Sequence, residues 1–189
     1  MRFYSFINKL LLSINIIIKN DYYIQEVSND IENLIINDEL VKNNIENIYF
    51  QSRIKKRSRI IQKMLNKKTI PCDIYGIRII YDNTKQLNFA EKSELIDTLN
   101  ICNYNFYKDL DTIILYREFY AYYIHYLIIK NYSIYNNNNI DDYINNPKQN
   151  NYRSIHTYIK KDDFIYEIQI RSIDMHYHAV FGNASKYYL

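Results

Sequence analysis

Glycine and proline are nearly missing from this sequence: each occurs twice in 189 residues. With so little glycine there is neither a GxGxxG turn nor a Walker-type loop, so phosphates are not cradled by backbone amides in the usual way. Any phosphate must instead be held by Lys and Arg side chains. Cysteine is equally scarce. Cys72 and Cys102 form no CxxC pair and no plausible metal set, and they read as reduced, partly buried thiols. No apolar run reaches the roughly 18 residues that a membrane span requires. The nearest approach is Leu10 to Ile18, broken by Ser13 and Asn15 behind a basic start. It has the look of a secretory core but lacks a small-residue cleavage site, and an amphipathic helix explains it as well as a leader does.

The excess lies in Asn, Ile, Lys and Tyr, residues of A/T-rich codons, and the run Asn136 to Asn139 reads as a loop swollen by that bias. A hydrophobic share of 48% with 24% charged residues is that of a globular chain, and the length suits one domain with a proper core. A net charge of +3 favours anionic ligands but is far from that of a protein that coats nucleic acid.

Apolar residues at helical spacing from Ile24 to Tyr49 predict helix. Arg53 to Lys68 reads as a short strand entering a helix at about Arg57, with Pro71 as its stop. Asp73 to Tyr81 is a buried strand by its branched apolar content. Helical patterns follow at about Phe89–Ile101 and Glu118–Lys130, then a polar loop from Asn136 to Asn151. Tyr152–Lys160 and Phe164–Arg171 read as a hairpin turning at Lys161-Asp162-Asp163. Asp174 is the expected N-cap of a last helix reaching about Tyr187. Helices alternating with strands predict an α/β or α+β domain.

Alternation along the hairpin sorts its side chains. Phe164, Tyr166, Ile168 and Ile170 share an apolar face, and Glu167, Gln169 and Arg171 share the other with Ile165. On the partner strand Ser154, His156 and Tyr158 alternate with Ile155, Thr157 and Ile159. The polar rows are either a solvated outer face or a site. The basic cluster Arg53, Lys55, Lys56, Arg57, Arg59 and Lys63 is either a solvated helix face or a phosphate grip. Asp73 and Glu167, on different strands, are surface or capping groups, or the two carboxylates that a Mg²⁺-dependent transfer needs. Periodicity does not decide between these readings.

Read in order, the segments resemble the synthetase domain of the RelA/SpoT family. Arg53-Ile54-Lys55 with Lys63 looks like its RxK…K segment, Asp73 to Arg78 like its DxxGxR strand, and Ile124-His125 like a pair in the following helix. Asp142-Tyr143-Ile144, Pro147-Lys148, Asn150-Asn151-Tyr152 and Ser154 to Thr157 resemble DYI…PK…NGYxSIHT. Glu167 to Arg171 is EIQIR, followed by Met175-His176 and by Gly182 with Ala184. Both glycines and both prolines fall inside or beside these motifs.

The resemblance implies an α+β fold, a nucleotidyltransferase-like mixed β-sheet flanked by helices, spanning 51–189 with an insertion at about 83–117. A helical region covers 1–50, with the leader-like stretch at 1–20. It also implies a pyrophosphokinase that passes the β,γ-pyrophosphate of ATP to the 3′-hydroxyl of GDP or GTP and releases AMP. Asp73 and Glu167 would hold Mg²⁺ and Glu167 would serve the acceptor hydroxyl. Arg53, Lys55, Lys63 and Arg78 would bind ATP. Tyr152, Lys148, His156 and Asn150 would bind the guanosine nucleotide. Alternatives are a degenerate nucleotide-binding homologue, or transfer to an adenosine nucleotide or a tRNA 3′ end.

The resemblance further implies a stand-alone synthetase of the homo-oligomeric type, with no membrane partner and no required nucleic acid. No His precedes an Asp, so the hydrolase of bifunctional members is not expected. A cytoplasmic site is expected, with an organelle of an A/T-rich eukaryote as the alternative. The chain departs from the family in placing Asp141 where a lysine is usual, Asn151 for the glycine of NGY, Arg59 for a serine and Val180 for an acidic residue.

Overall fold

Isoleucine dominates the interior, and its placement on alternate strand positions dictates where the sheet is covered. In the computed structural model residues 21–67, 71–84, 113–135 and 140–183 are described. They run α1 (Asp21–Ile36), α2 (Glu39–Asn44), β1 (Ile45–Ile54), α3 (Arg57–Lys67), β2 (Tyr75–Thr84), α4 (Ile113–Asn131), β3 (Ser133–Ile134), β4 (Asp141–Asp142), β5 (Ile155–Lys161), β6 (Phe164–Ser172) and α5 (Ile173–Phe181). The expected helix at Phe89–Ile101, the bulk of the insertion and the far end of the last helix lie outside the described residues.

The strands form a mixed sheet in the order β1-β2-β6-β5-β3, with the two-residue β4 also pairing β5. Among the described strands only β2 and β6 are parallel. Every other pair is antiparallel. One face carries Phe50, Ile79, Ile170 and Ile155 in one register row and Ile77, Ile168 and Thr157 in the next. Against these isoleucines pack α1, through Ile24, Ile31 and Ile35, and α4, through Ile124 and Ile128, all fully buried. Each such isoleucine contributes roughly 1.5–3 kcal/mol by leaving water.

The hairpin turn is the two residues Asp162-Asp163, since Lys161 and Phe164 still pair. Asp162 adopts a φ of 54°, which an aspartate tolerates better than most residues. Just before the turn, Lys161 reaches across to Asp30 at 2.5 Å and Glu26 at 3.6 Å, tying β5 to α1.

Two local expectations are corrected. The helix expected over Ile24–Tyr49 stops at Ile36. Asp38 caps α2 by accepting from the Val41 amide at 3.0 Å, and the chain is extended from Ile45. Ile45 and Ile48 stand at helical spacing, but pairing of β1 with β2 over its length outweighs that local signal. Ser172, not Asp174, caps the last helix, its hydroxyl accepting from the Met175 amide at 3.3 Å. The strand runs one residue further than expected, and Asp174 falls in the first turn, where its charge still suits the helix dipole.

Candidate active site

The face of the sheet opposite the isoleucines is polar, and register alone lines up its side chains. In one row stand Arg53, Gly76, Glu167 and Tyr158. In the next stand Gln51, Arg78, Gln169, His156 and Asp141. Gly76 has a physical reason. With no side chain between β1 and β6, Arg53 can lean across β2 until its guanidinium lies 3.9 Å from the Glu167 carboxylate. A β-carbon at position 76 would meet Arg53 Nε at 3.3 Å and Cγ at 3.4 Å.

Glu167 is buried and engaged on both oxygens. Oε2 accepts from Gln169 Nε2 at 2.9 Å. Oε1 faces the Tyr158 hydroxyl at 3.4 Å and His156 Nδ1 at 3.4 Å. Burial would raise its pKa, but the bond to His156 holds the carboxyl below the usual range, so it is ionised at neutral pH. Arg78 joins the network through Gln169, at 3.4 Å, and Gln51, at 3.1 Å.

Asp73 sits in the turn that leads into β2, a turn fixed by the Lys55 amide donating to the Ile74 carbonyl at 2.8 Å. Its Oδ2 takes both the Lys55 and the Lys63 ammonium groups. Burial opposes its ionisation, yet the two ammonium groups hold the carboxyl below its ordinary range. Lys63 is correspondingly raised by Asp73 against its own desolvation. Lys55 is lowered by burial beside a second cation. The charges of Asp73 and Glu167 act on one another, and Lys63 feels both.

The third part is aromatic. Tyr143 meets His156 edge-on at 5.2 Å and Tyr152 at 5.9 Å, while Lys148 Nζ lies 4.1 Å from the Tyr143 ring centre and 5.2 Å from that of Tyr152. The Tyr152 hydroxyl is 2.8 Å from His156 Nε2. This box is carried by the segment 140–154, which is anchored to α4. Asp142 accepts from Tyr122 at 2.9 Å and from the amides of Ile144 and Asn145 at 3.0 Å. Arg153 pairs with Glu118 and donates to the Ile144 carbonyl at 3.2 Å. Asn150 closes the turn by accepting from the Tyr152 amide at 3.2 Å, and Asn151 has a φ of 60°.

Arg53, Arg78, Glu167, His156, Tyr152 and Lys148 are linked by contacts on one face, and Asp73, Lys55 and Lys63 form a second group, with the charges of Asp73 and Lys55 felt at Glu167. The Asn150 side chain is used to shape the loop. Among the described residues Arg59 reaches only Gln62, at 3.4 Å. His176 meets Arg171 at 2.9 Å behind the row, and burial beside Arg171 and Arg78 pushes it down to about 4. Sequence reasoning missed Tyr143 and the Glu118–Arg153 pair, for which no periodic signal exists. Gln169 was placed on the polar face by strand alternation, though without a role.

Two hard oxygen donors suit Mg²⁺, which takes one or two carboxylates and completes its shell with water and substrate phosphates. Asp73 Oδ1 is buried and has no hydrogen-bond partner among the described residues, so a donor atom is available to a cation. Among the described residues no group of three His, Cys, Asp or Glu side chains could hold a metal by protein ligands alone.

The family whose description reads "Region found in RelA / SpoT proteins" matches residues 52–188. Among solved structures, the small alarmone synthetase 1 from Bacillus subtilis, bound to its product pppGpp, is similar at 18% identity. Its TM-score is 0.53, over 93% of this chain and 81% of that one. A GTP pyrophosphokinase family protein from Streptococcus pneumoniae is similar at 20% identity and a TM-score of 0.51, over 88% of this chain and 72% of the other. No curated protein sequence matches. Among the described residues no helix is long and apolar enough to cross a membrane.

Proposed function

The chain belongs to the RelA/SpoT family, and on that premise we propose that it is a GTP/GDP pyrophosphokinase. The observation that carries the reading is a single polar face on which a cationic cluster, two carboxylates, one buried and one half-buried, and an aromatic box follow one another. ATP lies at the cationic end, its phosphates drawn by Arg53, Lys55, Lys63 and Arg78. The guanosine nucleotide lies at the other, its base against Tyr152 and its polar groups within reach of Lys148 and His156. Base–aromatic stacking of this kind is worth roughly 1–3 kcal/mol.

The acceptor 3′-hydroxyl attacks the β-phosphorus of ATP. A new P–O bond forms there, the bond from the β-phosphorus to the α,β-bridging oxygen breaks, and AMP leaves with that oxygen. The hydroxyl proton passes toward Glu167, which is ionised at neutral pH and oriented by Gln169, Tyr158 and His156. Arg53 and the two lysines balance charge on the moving pyrophosphate. Asp73 and Glu167 would hold Mg²⁺, which when bound neutralises phosphate charge. Before substrate arrives, Lys55 and Lys63 neutralise Asp73 and keep a half-buried carboxylate paired.

The rival reading is nucleotide binding without transfer, and it draws on Asp141, a carboxylate where the family has a lysine. Thin-layer chromatography decides between them. The purified protein is incubated with Mg²⁺, γ-labelled ATP and either GDP or GTP, beside Glu167→Gln. A labelled tetra- or pentaphosphate that falls at least about 100-fold in the variant supports the synthetase. No product with nucleotide binding retained overturns it.

A further inference from the structure

Two carboxylates among the described residues are buried, Glu167 and Glu118. The first belongs to the site. The second is the single acidic residue of α4, set among tyrosines and isoleucines, and it takes no part in the transfer. Its partner is Arg153, whose guanidinium also donates to the Ile144 carbonyl at 3.2 Å. Arg153 follows Tyr152 in the chain and Ile144 follows Tyr143, so one guanidinium fastens the residues next to both rings of the aromatic box. One turn along α4 from Glu118, Tyr122 holds Asp142, the residue before Tyr143, at 2.9 Å. Tyr143 and Tyr152 lie just outside β4 and β5. The Tyr143 amide donates to the Ser154 carbonyl at 3.0 Å, which joins the backbones but leaves the directions of the rings open. An ion pair withdrawn from water adds little stability over a well-packed apolar pair of similar size. What it adds is direction, because a guanidinium is a rigid fork that can hold two acceptors in one geometry.

The geometry points to Glu118 and Arg153 as positioning residues for acceptor binding. From behind the box the pair sets the edge-on angle of 69° between Tyr143 and Tyr152, and with it the place of Lys148 over both rings. This rests on the synthetase reading for the identity of the ligand as a guanosine nucleotide. The pair acts through the two rings and needs no contact with the nucleotide itself. Among the described residues neither Glu118 nor Arg153 bonds to Arg53, Lys55, Lys63 or Arg78. Groups that share no partner act independently, so the pair governs acceptor binding and leaves donor binding alone.

The test is calorimetric titration of the full chain and two variants with GDP, and separately with α,β-methylene-ATP, in the presence of Mg²⁺. The double variant Glu118→Leu/Arg153→Met exchanges the ion pair for an apolar one, and its thermal transition by circular dichroism should stay close to that of the native chain. Its affinity for GDP should nevertheless fall about tenfold, a good part of what stacking on a fixed ring provides. Its affinity for the ATP analogue should stay within about twofold. Arg153→Lys keeps a charge opposite Glu118 but not the fork that also reaches Ile144, so its GDP affinity should fall between those of the other two proteins. That variant retains the ion pair and reads the same quantity if the double variant does not fold. In the chromatographic assay the KM for GDP should rise in step while kcat at saturation holds within about threefold. Unchanged GDP affinity in the variants, or equal losses for GDP and the ATP analogue, overturns the inference and leaves the synthetase reading intact. Selective loss of GDP affinity, with no labelled product even from the native chain, supports the inference and sinks the synthetase reading alone. A native chain that binds the ATP analogue but not GDP overturns both.

Discussion

Asn151, at a φ of 60°, closes the turn between Lys148 and Tyr152, its amide donating to the Lys148 carbonyl at 2.8 Å. Left-handed backbone is cheap for glycine, tolerable for asparagine and costly for branched residues. Asn151→Gly should therefore leave stability within about 0.5 kcal/mol, whereas Asn151→Val should cost about 1–2 kcal/mol. Urea denaturation measures both, and the valine variant should also raise the acceptor KM because Tyr152 follows the strained residue directly. At this scale the sequence was legible wherever a residue type met a known backbone demand or a strand alternation. Glu167, Gln169, His156 and Asn151 were all readable on those grounds. Tyr143 and Glu118 were not, because what they touch is decided by how the segment 140–154 docks on α4.

Among the elements, α4 is the most unusual. Its buried residues Tyr120, Tyr122, Tyr123, Ile124, His125, Leu127 and Ile128 surround the axis rather than marking one side, as suits a helix enclosed on most of its circumference. Burial pushes His125 down to about 4 from an ordinary 6.5. A folded-state value below the unfolded one means the unfolded chain binds the extra proton first. The stability held by neutral His125 is thus complete above about 6.5, falls as pH drops, and is fully lost by about 4. Chemical denaturation at pH 7 and pH 4.5 should show a loss of up to about 3 kcal/mol from this residue. His125→Leu should flatten that slope. No change in slope would mean that His125 titrates alike in the folded and unfolded chains. The same scale exposes the main misreading. β1 looked like the tail of a helix because Ile45 and Ile48 stand three apart, and only its pairing with β2 overrides that spacing.

For the whole molecule the decisive contact is the parallel pair of β2 and β6, strands with residues 85–163 between them. Neither strand has a local partner that could replace the other in the sheet centre. A chain ending at Asp163 would lose β6 and leave Tyr75 to Tyr81 unpaired on one side, so it should show no cooperative unfolding transition by circular dichroism. A sharp transition in that fragment would mean that the remaining strands fold without the centre of the sheet. An α/β or α+β class was legible from alternating helix and strand patterns, and the mixed sheet only through the family resemblance. The strand order was not, because parallel pairing over such a separation leaves no mark on neighbouring residues.

The rows Arg53-Gly76-Glu167-Tyr158 and Gln51-Arg78-Gln169-His156-Asp141 exist only in one registration of the sheet. A slip of β6 by a single residue would turn Glu167 and Gln169 inward and present Ile168 and Ile170 in their place. A molecule so misassembled would be blank, with no weakened version of the site to offer. Specific activity in any preparation would then serve as a head-count of correctly threaded chains, and partial activity would signal a mixture of good and empty molecules, not a uniformly poor enzyme.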